Sequence, residues 1–198
     1  SAVALRVAQA FVEAQLPAGV INFVTGKASA IGNVLLGDER VRKISFTGST
    51  EIGRLLLRGA ADHVKRVSME LGGNAPVILF EDCDLEASVR AVAALKYLNA
   101  GQACIGANRI YVHEAIYEDV ARRLEEIATT MKVGNGAEPG VQMGPLVDLR
   151  AVEKVEELVA DAIRCGARVR AGGCRLQGPD YEKGSFYAPT VLTDVPAT

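Results

Sequence analysis

The feature that most constrains this chain is a regular exchange of short apolar runs with stretches of helical spacing, joined by turns of only a few residues. Val3, Val7, Phe11 and Ala14 recur at helical intervals, and Leu16-Pro17-Ala18-Gly19 ends that pattern. Val20 to Val24 reads as a short buried strand, and a second helical stretch follows to about Leu36. Val41 to Phe46 reads as a strand and Glu51 to Arg58 as a helix. Two further strands are expected at Lys65–Met69 and Pro76–Phe80. Strands and helices that alternate through short turns build parallel α/β units.

The second half continues the alternation. Asp84 is placed to cap a helix whose apolar face is Leu85, Val89, Val92 and Leu95, and a strand is expected at Arg109–Val112. Ile116, Val120, Leu124, Ile127 and Met131 mark one amphipathic helix; Val152, Val155, Val159 and Ala162 mark another. A strand near Arg168 and the run Tyr187 to Leu192 close the chain. Leu71-Gly72-Gly73 is the natural boundary between two parts.

Composition excludes several classes of function. With 198 residues, of which 49% are hydrophobic and 23% charged, the chain has the balance of a globular protein. Lys and Arg number 22 against 24 Asp and Glu, so no basic field favours nucleic acid. No apolar run has the length of a membrane span. Four scattered cysteines without a CxxC pair, and two histidines, give no readable metal site and no disulfide framework. Reduced thiols point to a cytoplasmic setting.

Three stretches can carry chemistry. In Ile44-Ser45-Phe46-Thr47-Gly48-Ser49-Thr50-Glu51-Ile52-Gly53 a strand runs into a glycine and then into a helix start, where free N–H groups suit a pyrophosphate. Neither the Walker spacing nor G-x-G-x-x-G is present, and a plain strand–turn–helix junction is the commoner reading of such a stretch taken alone. In Ser68-Met69-Glu70-Leu71-Gly72-Gly73-Asn74 the carboxylate of Glu70 ends an apolar-flanked strand, where partial desolvation suits a general base. The bland alternative is a solvated Glu70, or one paired with Lys65 or Arg66. In Asn99-Ala100-Gly101-Gln102-Ala103-Cys104-Ile105-Gly106 an uncrowded cysteine follows a helix end. Its thiolate would need N–H donors, offered by Ile105 and Gly106, or a cation, of which Arg109 is nearest in sequence. An idle cysteine is the alternative. Neither His63 nor His113 forms a nucleophile–base pattern with it.

Taken together and in this order, the three stretches resemble the aldehyde dehydrogenase superfamily: a cofactor turn at Phe46–Gly53, a glutamate signature at Glu70–Asn74 and a cysteine signature at Gly101–Cys104. Met143-Gly144-Pro145-Leu146 and Tyr187–Leu192 extend the likeness, and Met69–Pro76 with Lys96–Arg109 is most similar to succinate-semialdehyde dehydrogenases. The resemblance implies an α/β fold: a Rossmann-like parallel sheet of a cofactor domain plus an α/β catalytic domain, both incomplete. Residues 1–72 would be the C-terminal part of the NAD(P)-binding domain and 73–198 the N-terminal part of the catalytic domain. It implies an oxidoreductase that converts an aldehyde to a carboxylic acid with NAD or NADP. Cys104 would be the nucleophile passing through thiohemiacetal and thioester, and Glu70 the base. Gly48, Ser49, Gly53 and Leu71 would contact the cofactor, and the parent protein would be a homo-oligomer without nucleic-acid or membrane partners. An upstream asparagine and lysine and a downstream glutamate of the family pattern have no counterpart here, so a middle piece of a longer enzyme, nearly inactive alone, is the expectation. Gly106 stands where some members carry a second cysteine, which argues against a regulatory disulfide at that loop. Two rival readings remain: a thiol esterase or acyltransferase that needs no cofactor, and an inert nucleotide-binding module.

Overall fold

The computed structural model describes residues 2–196; Ser1, Ala197 and Thr198 lie outside the described residues. The chain divides into two compact units, Ser1–Gly72 and Gly73–Thr198.

The first unit runs α1 (Ala2–Glu13), α2 (Ala28–Gly37), β1 (Lys43–Gly48), α3 (Thr50–Ala61) and β2 (Arg66–Leu71). β1 and β2 pair in parallel from Lys43↔Arg66 to Gly48↔Leu71, with α3 as the crossover. This is the βαβ unit that the alternation predicts. Two glycines set how closely α3 packs. A Cβ on Gly53 would lie 2.6 Å from a Leu71 methyl on β2, and one on Gly59 would lie 2.8 Å from a Leu36 methyl on α2. Behind the strands Lys65 is buried, and its ammonium donates to the carbonyls of Asp38 (2.7 Å) and Val41 (2.8 Å). Arg40 bonds to the Asp38 carboxyl and holds it far below the usual carboxylate range. The expected strand at Val20–Val24 is absent: these residues pair with no strand, and Val20 and Val24 are exposed. An apolar run becomes a strand only where a ladder partner stands beside it.

The second unit opens with another βαβ unit: β3 (Ala75–Leu79), α4 (Leu85–Tyr97) and β4 (Ala107–Val112), with β3 and β4 parallel. Asp84 caps α4 as expected, accepting from the Ala87 N–H at 3.0 Å. The buried face of α4 is Val89, Val92 and Ala93, while Leu95 points outward. A register shift at Ala75/Pro76 leaves Asn108 without a partner on β3. Proline has no N–H for the ladder, and a bulge beside it accommodates that loss. Then come α5 (Tyr117–Thr130), α6 (Leu149–Arg164), and β5 (Arg168–Ala171) antiparallel to β6 (Val191–Thr193). Leu79, Val89, Val92, Ala93, Val120 and Leu124 form the main core of this unit. Among the described residues no helix is long and apolar enough to cross a membrane.

Gly172 is the tightest point behind β5. Its φ is +68°, and a Cβ would fall 2.3 Å from the Pro189 carbonyl oxygen and 2.7 Å from Thr190 Oγ1. Backbone cannot swing aside as a side-chain end can. Gly172→Ala should therefore cost about 2–4 kcal/mol in chemical denaturation. Gly166→Ala, at φ +106° with open space around it, should cost less because only backbone strain acts. Equal losses for the two variants would contradict this packing.

Candidate active site

Each expected site residue is placed by a specific element. Ser49 follows β1 and caps α3; its Oγ accepts from the Ile52 N–H at 3.3 Å, and its carbonyl accepts from the Gly53 N–H at 2.9 Å. The N–H groups of Thr50 and Glu51, in the first turn of α3, have no intrahelical acceptor. They are the donors this turn can offer an anion. Gly48 is exposed, and what approaches it is Phe46: a Cβ there would meet the ring at 2.4 Å. Gly53 is buried under Leu71, whose branch packs on α3.

Glu70 is the penultimate residue of β2, opposite Thr47, and is exposed. With this exposure at the end of a two-stranded sheet, the expected desolvation is not found. Neither ion pair considered for it forms. Lys65 is occupied by two carbonyls, and among the described residues Arg66 has no carboxylate partner.

The cysteine loop is the most constrained segment of the second unit. After α4 the chain enters a 3-10 turn in which Asn99 (φ 51°), Ala100 (φ 56°) and Gly101 (φ 77°) are all left-handed. Each non-glycine residue there costs on the order of 1 kcal/mol, so surrounding contacts must hold the turn. Those contacts are present. The Gln102 N–H and Nε2 both donate to the Asn99 carbonyl (3.2 and 2.9 Å), and Asn99 Nδ2 returns a bond to the Gln102 carbonyl at 3.2 Å. Gln102 Oε1 also accepts from the Val147 N–H at 2.9 Å, which ties the loop to the Met143–Val147 segment. Ala100 packs against the clusters around Phe186 and around Val152.

Cys104 follows at the tip of a β-turn closed by Gly106 N–H to Ala103 O at 3.0 Å. It is a free, exposed thiol, as Cys165 and Cys174 are; Cys83 is half-buried. Of the two donors expected near it, Gly106 is already used in closing the turn. Among the described residues the Cys104 and Ile105 N–H groups have no acceptor. Gly106 is itself buried, and a Cβ there would sit 3.1 Å from the Ala103 carbonyl, so the turn has little room for a larger residue.

Arg109, the nearest cation in sequence, is held by Asn74. In the amide orientation that matches its neighbours, the Asn74 oxygen accepts from Arg109 at 2.8 and 3.0 Å. Gly73 lies beside Cys104 as well: a Cβ on it would be 3.8 Å from the Cys104 carbonyl oxygen. The end of the glutamate signature and the cysteine signature are thereby joined within one unit. Lys96 reaches the same loop from α4; it donates to Asn108 Oδ1 at 2.8 Å, and burial pushes its ammonium below the ordinary lysine value. Asn74, Lys96, Asn99 and Gln102 were not singled out as positioning residues by sequence. Three of them sit inside quoted motifs, and the fourth, Lys96, is a cation on an otherwise apolar helix end.

His63 and His113 are exposed, and His113 Nδ1 accepts from the Ala115 N–H at 3.3 Å. Among the described residues no cluster of metal-ligating side chains occurs.

A parallel α/β framework that presents a thiol on a strained, braced loop after a helix defines a thiol-bearing α/β protein. Comparison with known proteins gives the family. The model of the aldehyde dehydrogenase family matches residues 1–198, and the chain belongs to that family. The chain is 49% identical over 195 residues to the succinate-semialdehyde dehydrogenase [NADP(+)] GabD of Escherichia coli (strain K12), which covers 98% of this chain and 39% of that protein. It is 53% identical over 184 residues to a 3-sulfolactaldehyde dehydrogenase of Pseudomonas putida, covering 93% and 37% respectively. Among solved structures, an E. coli NADP-dependent enzyme superposes with a TM-score of 0.93 at 49% identity, over 98% of this chain and 39% of that one. The chain thus spans about two fifths of the length of the curated relatives it matches. The mixed α/β architecture with parallel strand pairs agrees with the Rossmann-like fold class expected from the motifs.

Proposed function

We propose that this chain carries the nucleophile, the base and part of the cofactor site of an NAD(P)-dependent aldehyde dehydrogenase. The observation that supports this most is the cysteine loop: an exposed thiol on a braced left-handed turn, with two N–H groups free beside it. Cys104 attacks the aldehyde carbon as thiolate, and the carbonyl becomes an oxyanion next to the Cys104 N–H. NAD or NADP, when bound, would supply the hydride acceptor that turns the adduct on Cys104 into a thioester. Glu70 then takes a proton from water as the water oxygen bonds to the acyl carbon; the C–S bond breaks, the acid leaves, and the sulfur departs as the thiolate that began the cycle. Glu70 stands three residues before Gly73 in the sequence. Its exposure leaves it open to water.

The residues fit a cofactor pyrophosphate at the start of α3. There the Thr50 and Glu51 N–H groups have no acceptor within the helix, Gly48 presents no side chain, and the Ser49 hydroxyl fixes the first turn. Gly53 and Leu71 pack that helix onto β2 and so set where its N-terminus points. Residues 1–72 then serve as the later part of the NAD(P)-binding domain and 73–198 as the earlier part of the catalytic domain.

The relatives named above act on aldehydes with an anionic group at the far end, a carboxylate in one and a sulfonate in the other. We extend that class to this protein, with succinate semialdehyde as its simplest member. In the full-length protein, reduced cofactor should form with succinate semialdehyde at a kcat/KM roughly tenfold or more above that with butanal, as one charge-assisted hydrogen bond provides. Hydrolysis of a thiol ester with no cofactor requirement, and no cofactor reduction with any aldehyde, would overturn the proposal in favour of an esterase.

A further inference from the structure

The hydrogen bonds of the cysteine loop converge on one side chain. The loop leaves α4 through Asn99 and Ala100, both left-handed, and such a stretch keeps one shape only where its surroundings over-determine it. Most of its bonds are internal. Asn99 and Gln102 bond to each other through backbone and side chain, and the Gly106 N–H closes the next turn on the Ala103 carbonyl. Among the described residues a single side-chain hydrogen bond leaves residues 99–106 for another segment. In it Gln102 Oε1 accepts from the Val147 N–H at 2.9 Å, across 45 residues of chain. The far end of that bond is itself fixed. The Leu146 N–H donates to the Ser185 carbonyl at 2.9 Å, the Leu146 side chain is buried with Val152 and Tyr187, and Asp148 caps α6. The Val147 side chain is exposed, so its N–H is what that residue gives the loop.

We propose, on the reading of Cys104 given above, that Gln102 is a positioning residue for the oxyanion. Its amide is stretched between the Asn99 carbonyl and the Val147 N–H, and so aims the free N–H of Cys104. Only Ala103 separates Gln102 from that N–H. On the other side, the bond from Gly106 to Ala103 holds the same peptide group, which thus has an anchor before it and one after it. Packing of Ala100 into two clusters fixes where the loop lies. The bond to Val147 is directional, and it fixes how the loop is turned. A donor to a developing oxyanion loses most of its effect when rotated off line, so an error of one peptide orientation reaches the rate. No atom of Gln102 has to touch the substrate.

The test uses the full-length protein and trifluoroacetone, a ketone with no hydride to give up. The Cys104 sulfur bonds to the ketone carbon, the C=O π pair moves to oxygen, and nothing leaves. The adduct is an oxyanion that forms without cofactor and reports on its donors alone. Fluorine NMR measures its affinity. Gln102→Met, similar in length but without the amide, should weaken the adduct roughly tenfold or more, and kcat with aldehyde should fall by a like factor at unchanged KM. Alkylation of Cys104 by iodoacetamide, which makes no oxyanion, should hold its wild-type rate. Val147→Pro removes the same bond from the donor side, and the double variant should lose no more than the weaker of the two single variants. Equal ketone affinity in wild type and Gln102→Met would overturn the proposal. A parallel fall in ketone affinity and alkylation would do so too, because it marks a loop that has collapsed rather than turned. Wild-type protein that forms no adduct on Cys104 would instead overturn the role of the thiol itself, a result visible before any variant is made.

Discussion

Replacing Cys104 by serine in the full-length protein should remove aldehyde oxidation by a factor on the order of 10⁴ or more, with cofactor binding and stability essentially unchanged. The size follows from covalent catalysis: without the thiolate there is no thiohemiacetal from which hydride can leave, and a serine hydroxyl lacks a base strong enough to replace it. The separation from stability follows from placement. Cys104 is exposed at a turn tip, and the loop is held by Asn99, Gln102 and Ala100 rather than by the sulfur. Cys165→Ser, another exposed thiol, should change neither quantity. Steady-state cofactor reduction measures the first effect and denaturant unfolding the second. Wild-type-like turnover by Cys104→Ser would contradict the role proposed for this thiol.

Glu70→Gln should behave differently. Loss of a general base costs roughly 10²–10⁴ in rate, and in the proposed mechanism that loss falls on thioester hydrolysis. In the proposed order cofactor reduction precedes hydrolysis, so a first turnover should survive as a burst near one equivalent per site, followed by very slow steady turnover. The exposed carboxylate makes no ion pair with Lys65 or Arg66, so the isosteric amide should fold normally. Rapid-mixing kinetics separate the outcomes. Loss of burst and steady state together would instead assign Glu70 to the attack step, as the base that deprotonates Cys104.

The βαβ units were legible because their signals are local. Alternating apolar runs marked β1 to β4, and Asp84 announced the start of α4 through a capping bond that forms as its residue type predicts. What misled was also local. Val20–Val24 has strand composition but no ladder partner, and a partner is a property of the fold rather than of five residues. Leu95 follows the apolar spacing of α4 yet faces outward, while Ala93, a smaller and less conspicuous residue, takes the buried position. At the candidate site, residue types and spacing direct attention to Glu70 and Cys104, because few other arrangements combine a glutamate before two glycines with a cysteine in a small-residue loop. The bracing was hidden for a physical reason. Gln102 to Val147 spans 45 residues, and Asn74 to Arg109 depends on a parallel pairing that no short window contains. The left-handed conformation of Ala100 is equally silent in sequence, since alanine ordinarily avoids it.

The most direct test of the account is to trap the acyl group. Full-length protein carrying Glu70→Gln is incubated with succinate semialdehyde and oxidised cofactor, quenched in acid, and its peptides are weighed. The account predicts a succinyl thioester on the peptide containing Cys104, appearing in step with one equivalent of reduced cofactor and absent when cofactor is left out. Reduced cofactor without any acyl adduct on Cys104, or an adduct that forms on a different residue, would contradict it.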